Sequence, residues 1–429
     1  MNIFVSGIGG AGLGPLAEIA LDAGYSVRGS DLYPSLVSRE LEARGVTISY
    51  EQSTENITRV HQEQPIDWFV YTSALPDDAP ELVFARAHHI HTSMRDEFLA
   101  RFIEDHGLEL IAIAGTHGKT TTTALMVWTL QQLGLPVSYS VGSTLSFGPS
   151  GKFDPHSRFF VYEADEYNRN FLHFSPAVSL LPSVDYDHAD IYPTVDDYRA
   201  AFRQFISQSD RAVLWRQTAD YLEFDSMQSD STVLDGTVSS QEIRLAGSTM
   251  RANAKLVLET LRQVLDDFDE ERIKDIIAAF PGSDRRFEKL REGLYSDYAH
   301  HPAEIAATIE KARELSDRVA VVYQPHQNLR QAELMQHGGY ADAFIGADQV
   351  YWVPTYLVRT DLVEGAPKVL TPADLIASLS DSSMVESAEL NDALWHKMQH
   401  HLEQGDLVLV MGAGPIDGWL REQAQTAQN

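Results

Sequence analysis

Short runs of consecutive apolar residues alternate along this chain with longer stretches of helical periodicity. Leu110-Ile-Ala-Ile-Ala114, Phe159-Phe-Val-Tyr162, Val319–Tyr323 and Leu407–Met411 are such runs. Continuous apolar runs of this length suit strands covered on both faces. Alternated with helices, they predict parallel sheets flanked by helices, an α/β architecture. Three such blocks separate, at 1–106, 107–284 and 285–429. The first should hold strands near Ile3–Ser6, Ser26–Gly29 and Trp68–Thr72. The second should start at the strand before residue 115 and continue through Phe159–Glu163 and Val178–Leu181. The third should hold Gly293–Asp297, Val319–Tyr323, Val350–Val353 and Leu407–Met411. The polar stretch Phe224–Gln241 predicts hairpins or loops.

Composition narrows the class. At 429 residues the chain is too long for one ordinary core. Its content, 44% hydrophobic and 22% charged, is that of a soluble protein, and no apolar run reaches bilayer-spanning length. The opening Met1-Asn-Ile-Phe-Val-Ser6 reads as a strand rather than a secretion signal, and cysteine is absent. Both agree with a cytoplasmic protein. A formal charge of −29 disfavours nonspecific nucleic-acid binding, leaving room for anionic small ligands in locally positive pockets.

Chemistry concentrates at strand ends. Gly115-Thr116-His117-Gly118-Lys119-Thr120-Thr121 follows the run ending at Ala114 and opens a helical pattern. Backbone N–H groups converge in such a loop, Lys119 adds a positive charge, and the Thr120 hydroxyl can reach a Mg²⁺ ion. That set suits a nucleoside triphosphate. The loop is a shortened variant, because Ile113 stands where a further glycine is usual. Gly7-Ile-Gly9-Gly10-Ala-Gly12, with Asp31 closing the second strand, suits a nucleotide diphosphate, and by itself reads as readily as a NAD-dependent dehydrogenase.

Glu163-Ala-Asp165-Glu166 ends a strand and offers the hard oxygens that Mg²⁺ takes. Asp185-Tyr-Asp187-His188-Ala-Asp190 follows another, where His188 can add a nitrogen ligand or a hydrogen bond to substrate. Arg285-Arg286-Phe287 stands at the second domain boundary, suited to a phosphate clamp or to an interdomain salt bridge. Asp297-Tyr-Ala-His-His301-Pro302 ends another strand. Its adjacent histidines diverge and are not paired ligands. Gln324-Pro-His326 follows the strand Val319–Tyr323, with Arg330 four residues beyond, and Gly412-Ala-Gly414 follows the last strand.

In this order and at these separations the motifs resemble the Mur ligase family over essentially the full length. The resemblance implies a Rossmann-like N-terminal domain for a UDP-sugar, using Gly7, Gly9, Gly10, Gly12, Asp31 and Ser73. It implies a central P-loop ATPase domain with a mostly parallel sheet, and a Rossmann-like C-terminal domain admitting the amino acid. It further implies ATP-dependent ligation of L-alanine to UDP-N-acetylmuramate in peptidoglycan precursor synthesis, through an acyl phosphate. The partners are then UDP-N-acetylmuramate and an amino acid or peptide, with no nucleic acid and no membrane, in a monomer or homodimer. Lys119, Glu163 and His188 become the catalytic set. One Mg²⁺ goes to Thr120 and Glu163, a second to His188. ATP would meet Gly115–Thr121, Asn253 at the adenine, Arg286 at the phosphates and Asp297 at the ribose. His301, His326 and Arg330 would face the amino acid or the substrate carboxylate.

Several positions depart from the family pattern. Gly247-Ser-Thr249-Met250-Arg-Ala-Asn253 keeps only the last asparagine of a Gly-x-His-Asn-x-x-Asn run. Gln327-Asn328-Leu329-Arg330 replaces Arg-Tyr-Thr-Arg, and Tyr167-Asn168-Arg169-Asn170 replaces Ser-Asp-Gly-Ser. The segment between about 210 and 247 is short. Glu166-Tyr167 and His188-Ala-Asp190 are closer to the family's members that join a recycled tripeptide to UDP-N-acetylmuramate. Thr249 and Met250 suit a catalytically silent nucleotide-binding protein.

Overall fold

The computed structural model describes residues 1–10, 12–72, 74–225, 230–362 and 367–426. In the N-terminal sheet, β1 (Asn2–Ser6), β2 (Ser26–Ser30), β3 (Thr47–Ser49), β4 (Trp68–Tyr71) and β5 (His91–Met94) run parallel in the order β3-β2-β1-β4-β5. The two edge strands, Thr-Ile-Ser and His-Thr-Ser-Met, carry no apolar run because one side of an edge strand lacks a neighbour to bury it. They are therefore silent in the hydrophobic pattern.

The middle sheet contains β6 (Glu109–Ile113), β7 (Val137–Ser140), β8 (Gly151–Lys152), β9 (Phe159–Glu163), β10 (Val178–Leu181), β11 (Arg211–Trp215) and β12 (Ser231–Leu234), in the order β12-β11-β10-β6-β9-β7-β8. Its pairings are parallel except β7 with β8. β12 corrects the hairpin-or-loop expectation for Phe224–Gln241: Ser231–Leu234 is a half-buried edge strand, parallel to and in register with Ala212–Trp215. Its serine and threonine are tolerated because only one of its edges is paired. Residues 226–229 of that stretch lie outside the described residues.

Residues 1–236 and 253–281 form one compact unit. One hydrophobic cluster runs through both of its sheets, from Ile3 and Val5 through Phe98 and Phe102 to Phe160, Tyr162 and Leu214. The helix Gly14–Asp22 binds the β8 region through its acids. Glu18 accepts from the Gly151 amide at 2.8 Å and Asp22 from the Phe153 amide at 3.0 Å. Burial, opposed in part by that Gly151 hydrogen bond and by Arg44, pushes the Glu18 carboxyl up to about 7.

Residues 237–252 and 282–429 form the other unit. Its strands are β13 (Glu288–Arg291), β14 (Leu294–Asp297), β15 (Val319–Tyr323), β16 (Gln349–Trp352), β17 (Val385–Ser387) and β18 (Leu407–Met411), ordered β13-β14-β18-β15-β16-β17. β13 alone among them pairs antiparallel. Every residue of β15 and β18 is buried, and separate apolar clusters cover the two faces of the sheet. This is the burial their continuous apolar runs predict. Among the described residues no helix is long and apolar enough to cross a membrane.

Candidate functional site

The glycine loop leaves the C-terminal end of β6, which lies between β9 and β10. From β6 the chain passes beyond β9 to β7, and later crosses to β10 on the opposite side. Such a reversal opens a crevice at the carboxyl ends of the strands. The loop is stitched to the exit of β10: the Thr116 amide donates to the Ser183 carbonyl at 2.8 Å, and its hydroxyl donates to the Asp185 carbonyl at 2.7 Å. Gly115 (φ +149°) comes so close that an added Cβ would stand 2.5 Å from the Ser183 oxygen. Gly118 (φ +85°) is the left-handed residue that starts the helix Lys119–Gln132. Side chains at these two places would displace the loop from β10.

Around that helix start the structure brings together Lys119, Thr120, Glu163, Glu166 and His188. Lys119 Nζ donates to the Gly115 carbonyl at 2.5 Å and stands 2.8 Å from Glu166 Oε2. His188 Nε2 approaches Glu166 Oε1 at 3.6 Å. Glu166 is 1% exposed. Burial pushes its carboxyl up, but Lys119 and His188 together pull it down further, leaving it below the ordinary range. Burial likewise pushes Lys119 and His188 down, and the carboxylates raise both by more. Thr120 Oγ1 donates to Glu163 Oε1 at 2.7 Å, and the Gly142 amide donates to Oε2 at 2.8 Å. Glu163 is thus aimed at the helix start by two donors. Glu166 stands in the quoted Glu163–Glu166 motif, yet its pairing with both Lys119 and His188 was not legible from spacing.

Asn253 is buried in the helix Ser248–Val264, and its amide lies where a Cβ on Gly118 would be 3.2 Å away. The residue expected at the adenine therefore borders the Gly115–Thr121 loop. Ser183 Oγ donates to the His117 carbonyl, fixing the loop's middle, and Thr121 lies in the first turn of the helix.

In the N-terminal glycine loop, Asp31 Oδ2 accepts from the Gly9 amide at 2.8 Å and Oδ1 from the Leu32 amide at 2.7 Å. Ser35 Oγ donates to the Gly9 carbonyl, and the Gly7 amide donates to the Ser30 carbonyl. Asp31 thus holds the loop together. Gly7, Gly10 and Gly12 line a cavity of about 110 Å³ with Arg95, Asp165 and Asn170. Ser73, expected at the same ligand, lies outside the described residues.

In the C-terminal unit, both guanidiniums of Arg285 and Arg286 lie over the Tyr298 ring, at 4.7 and 5.0 Å. Arg285 also donates to the Gly412 carbonyl at 2.7 Å, which ties the loop after β18 to the start of this unit. Asp297 accepts from the Phe287 and Ala299 amides at 2.6 and 2.7 Å. Burial pushes its carboxyl up, with Arg286 opposing. His301 caps the helix Pro302–Leu315 by accepting from the Ala303 amide. His326 stacks on Tyr356 with ring centroids 5.7 Å apart. Burial, then His300 and Arg330, push His326 down, so its neutral form prevails at neutral pH. Tyr356 lies 30 positions from His326, and no periodicity connects the two.

The departure after His326 has a structural explanation. Asn328 is fully buried: its side chain donates to the Pro367 carbonyl at 3.1 Å and accepts from the Leu370 amide at 2.8 Å. Asp361 accepts from the amides of Asn328 and Leu329, both at 3.0 Å, and caps the helix Asn328–Gln336. Asn328 therefore braces a neighbouring segment. Met250 is likewise mostly buried.

Comparison with known proteins agrees along the chain. Residues 3–106 match the model of the Mur ligase family catalytic domain, 113–244 the Mur ligase middle domain, and 285–414 the Mur ligase glutamate ligase domain. A UDP-N-acetylmuramate–L-alanine ligase of Gloeobacter violaceus is 32% identical, over 98% of this chain and 95% of its own. Among solved structures, the UDP-N-acetylmuramate–alanine ligase of Thermotoga maritima superposes with a TM-score of 0.77 at 23% identity, covering 100% of this chain and 99% of that one. A murein peptide ligase of Psychrobacter arcticus reaches 0.62 at 22% identity, with coverage of 100% and 99%.

Proposed function

Because the chain belongs to the Mur ligase family, we propose that it joins L-alanine to UDP-N-acetylmuramate with ATP as co-substrate, in the cytoplasm. The observation that carries this reading is the convergence of Lys119, Thr120, Glu163 and His188 on one helix start. The near-full-length relative at 32% identity supports the choice of substrates.

A carboxylate resists attack by an amine because its leaving group would be an oxide. Transfer of the ATP γ-phosphoryl to it gives an acyl phosphate. The amine then attacks the carbonyl, and phosphate leaves as the tetrahedral intermediate collapses. The protein supplies positioning and charge rather than a nucleophile. Lys119 and the loop amides neutralise the moving phosphoryl group. To do so, Lys119 exchanges Glu166 for phosphate oxygens. Asn253 borders the nucleotide, Arg286 faces phosphate, and His326 with Arg330 receives the amino acid. A hydroxyl beside a carboxylate, as at Thr120 and Glu163, is a donor set that fits Mg²⁺ when phosphates complete the shell. Bound Mg²⁺ supplies charge neutralisation on the phosphoryl oxygens. A second ion at His188 requires the neutral imidazole, which Glu166 disfavours.

The N-terminal domain takes the UDP-sugar on Gly7–Gly12, the middle domain ATP, and the C-terminal domain the amino acid. Phosphate release from ATP tests the assignment. With UDP-N-acetylmuramate, release should require L-alanine. Release with the tripeptide L-alanyl-γ-D-glutamyl-meso-diaminopimelate and none with alanine would replace the proposed acceptor. Release with neither would overturn the ligase reading.

A further inference from the structure

Arg95 opens the helix Arg95–Asp105, directly after β5. Its Nε and Nη2 form a fork on the Asp96 carboxylate, at 3.2 and 3.0 Å. Asp96 is 2% exposed and also accepts from the buried Tyr162 hydroxyl. Asp165 stands 3.8 Å from the same Nη2. The Asp96 fork thus fixes the plane of the guanidinium, and Asp165 stands beyond hydrogen-bond reach. The remaining guanidinium nitrogen, Nη1, faces the glycine loop, and a Cβ on Gly12 would be 3.1 Å from it. Gly7, Gly10 and Gly12 line the same cavity as Arg95.

From this geometry we infer that Arg95 binds the diphosphate of the nucleotide-sugar, with Nη1 donating to an oxygen that lies over the Gly7–Gly12 loop. The inference rests on the proposed UDP-sugar substrate and adds the residue that supplies positive charge to its site. A glycine loop and helix start offer only partial charges. A planar guanidinium already held on one edge by Asp96 can present Nη1 with little further loss of side-chain freedom on binding. Asp165 competes for the same fork at a longer distance. The same Asp165 adjoins Glu166, the partner of Lys119, so the diphosphate site and the phosphoryl-transfer site share one short segment.

Titration calorimetry with UDP and with uridine, on wild type, Arg95→Gln, Arg95→Lys and Asp165→Asn, tests the assignment. The phosphates should make UDP bind wild type more tightly than uridine. Arg95→Gln should cut UDP affinity about 10- to 100-fold, the worth of a charge-assisted hydrogen bond, with uridine affinity changed less than about twofold. Arg95→Lys should fall between, and Asp165→Asn should bind UDP as tightly as wild type or more so. Equal losses for UDP and uridine would mark Arg95 as a scaffold residue and overturn the inference, as would no loss at all. If Arg95→Gln does not fold, the UDP-to-uridine ratio of Arg95→Lys decides. Failure of wild type to bind either UDP or UDP-N-acetylmuramate would remove the nucleotide-sugar reading and this inference together. Binding by wild type with an unmoved ratio would remove only the role of Arg95.

Discussion

Replacing Lys119 with methionine should destabilise the middle sheet, and the loss should depend on pH in the direction opposite to wild type. The ion pair with Glu166 spans 2.8 Å, and Glu166 is 1% exposed. Removing one partner of such a pair costs about 3–5 kcal/mol, because a charge is left buried without compensation. In wild type the Glu166 carboxyl is held below its ordinary range. Its stabilisation is complete above the unfolded value and declines only as pH falls through the depressed one. Without Lys119 the unopposed effect is burial, which raises the carboxyl. The folded state then binds a proton that the unfolded chain has released, so stability falls as pH rises through and above the ordinary carboxylate range. Native-state hydrogen exchange of the fully buried Ile111–Ile113 amides, corrected for intrinsic rates, reads this opening free energy. We expect a loss of about 3–5 kcal/mol at pH 8 and less than half of that at pH 5.5, with most of it restored in Lys119→Met/Glu166→Gln. A loss below about 1 kcal/mol at pH 8, or an equal loss at both pH values, would refute the reasoning.

Four other outcomes are expected. Lys119→Ala should abolish ligation while UDP-N-acetylmuramate still binds in calorimetry, because the proposed assignment gives the two ligands to different sheets. Thr120→Val should raise the Mg²⁺ concentration for half-maximal phosphate release at least several-fold, since it removes the hydroxyl beside Glu163 at 2.7 Å, and UDP binding should be unchanged. With Glu18 pushed up to about 7 in the folded protein, stability should fall as pH rises from the ordinary carboxylate range toward 7. Glu18→Gln should remove that slope, worth up to about 3 kcal/mol, in melts compared at pH 5 and pH 8. Asp361→Ala strips three backbone amides of their acceptor, those of Asn328, Leu329 and Val358. It should cost the C-terminal unit about 1–3 kcal/mol in denaturant unfolding and raise the KM for the amino acid.

Legibility in the sequence varied with burial. β1, β6, β9, β10, β15 and β18 were readable because strands covered on both faces need unbroken apolar runs. β3, β5, β12 and β17 escaped because edge strands tolerate polar residues. Motifs survived best where one short segment carries a whole function, as in Gly115–Thr121. Pairs formed by distant residues, such as His326 with Tyr356 or Arg95 with Asp165, left no local trace.

By itself the sequence determined the α/β architecture, the phosphate loop and the family, because each depends on local periodicity or on contiguous residues whose spacing the backbone preserves. The tertiary structure alone decided which partner each charge takes. Lys119 meets Glu166 across 47 positions, and Arg95 lines the glycine loop 83 positions after Gly12. It also showed that Asn328, which departs from the family pattern, braces a neighbouring segment. The physical reason is that electrostatic and hydrogen-bond energies depend on distance and burial in space, quantities that strand order and sheet packing set only once the chain has folded.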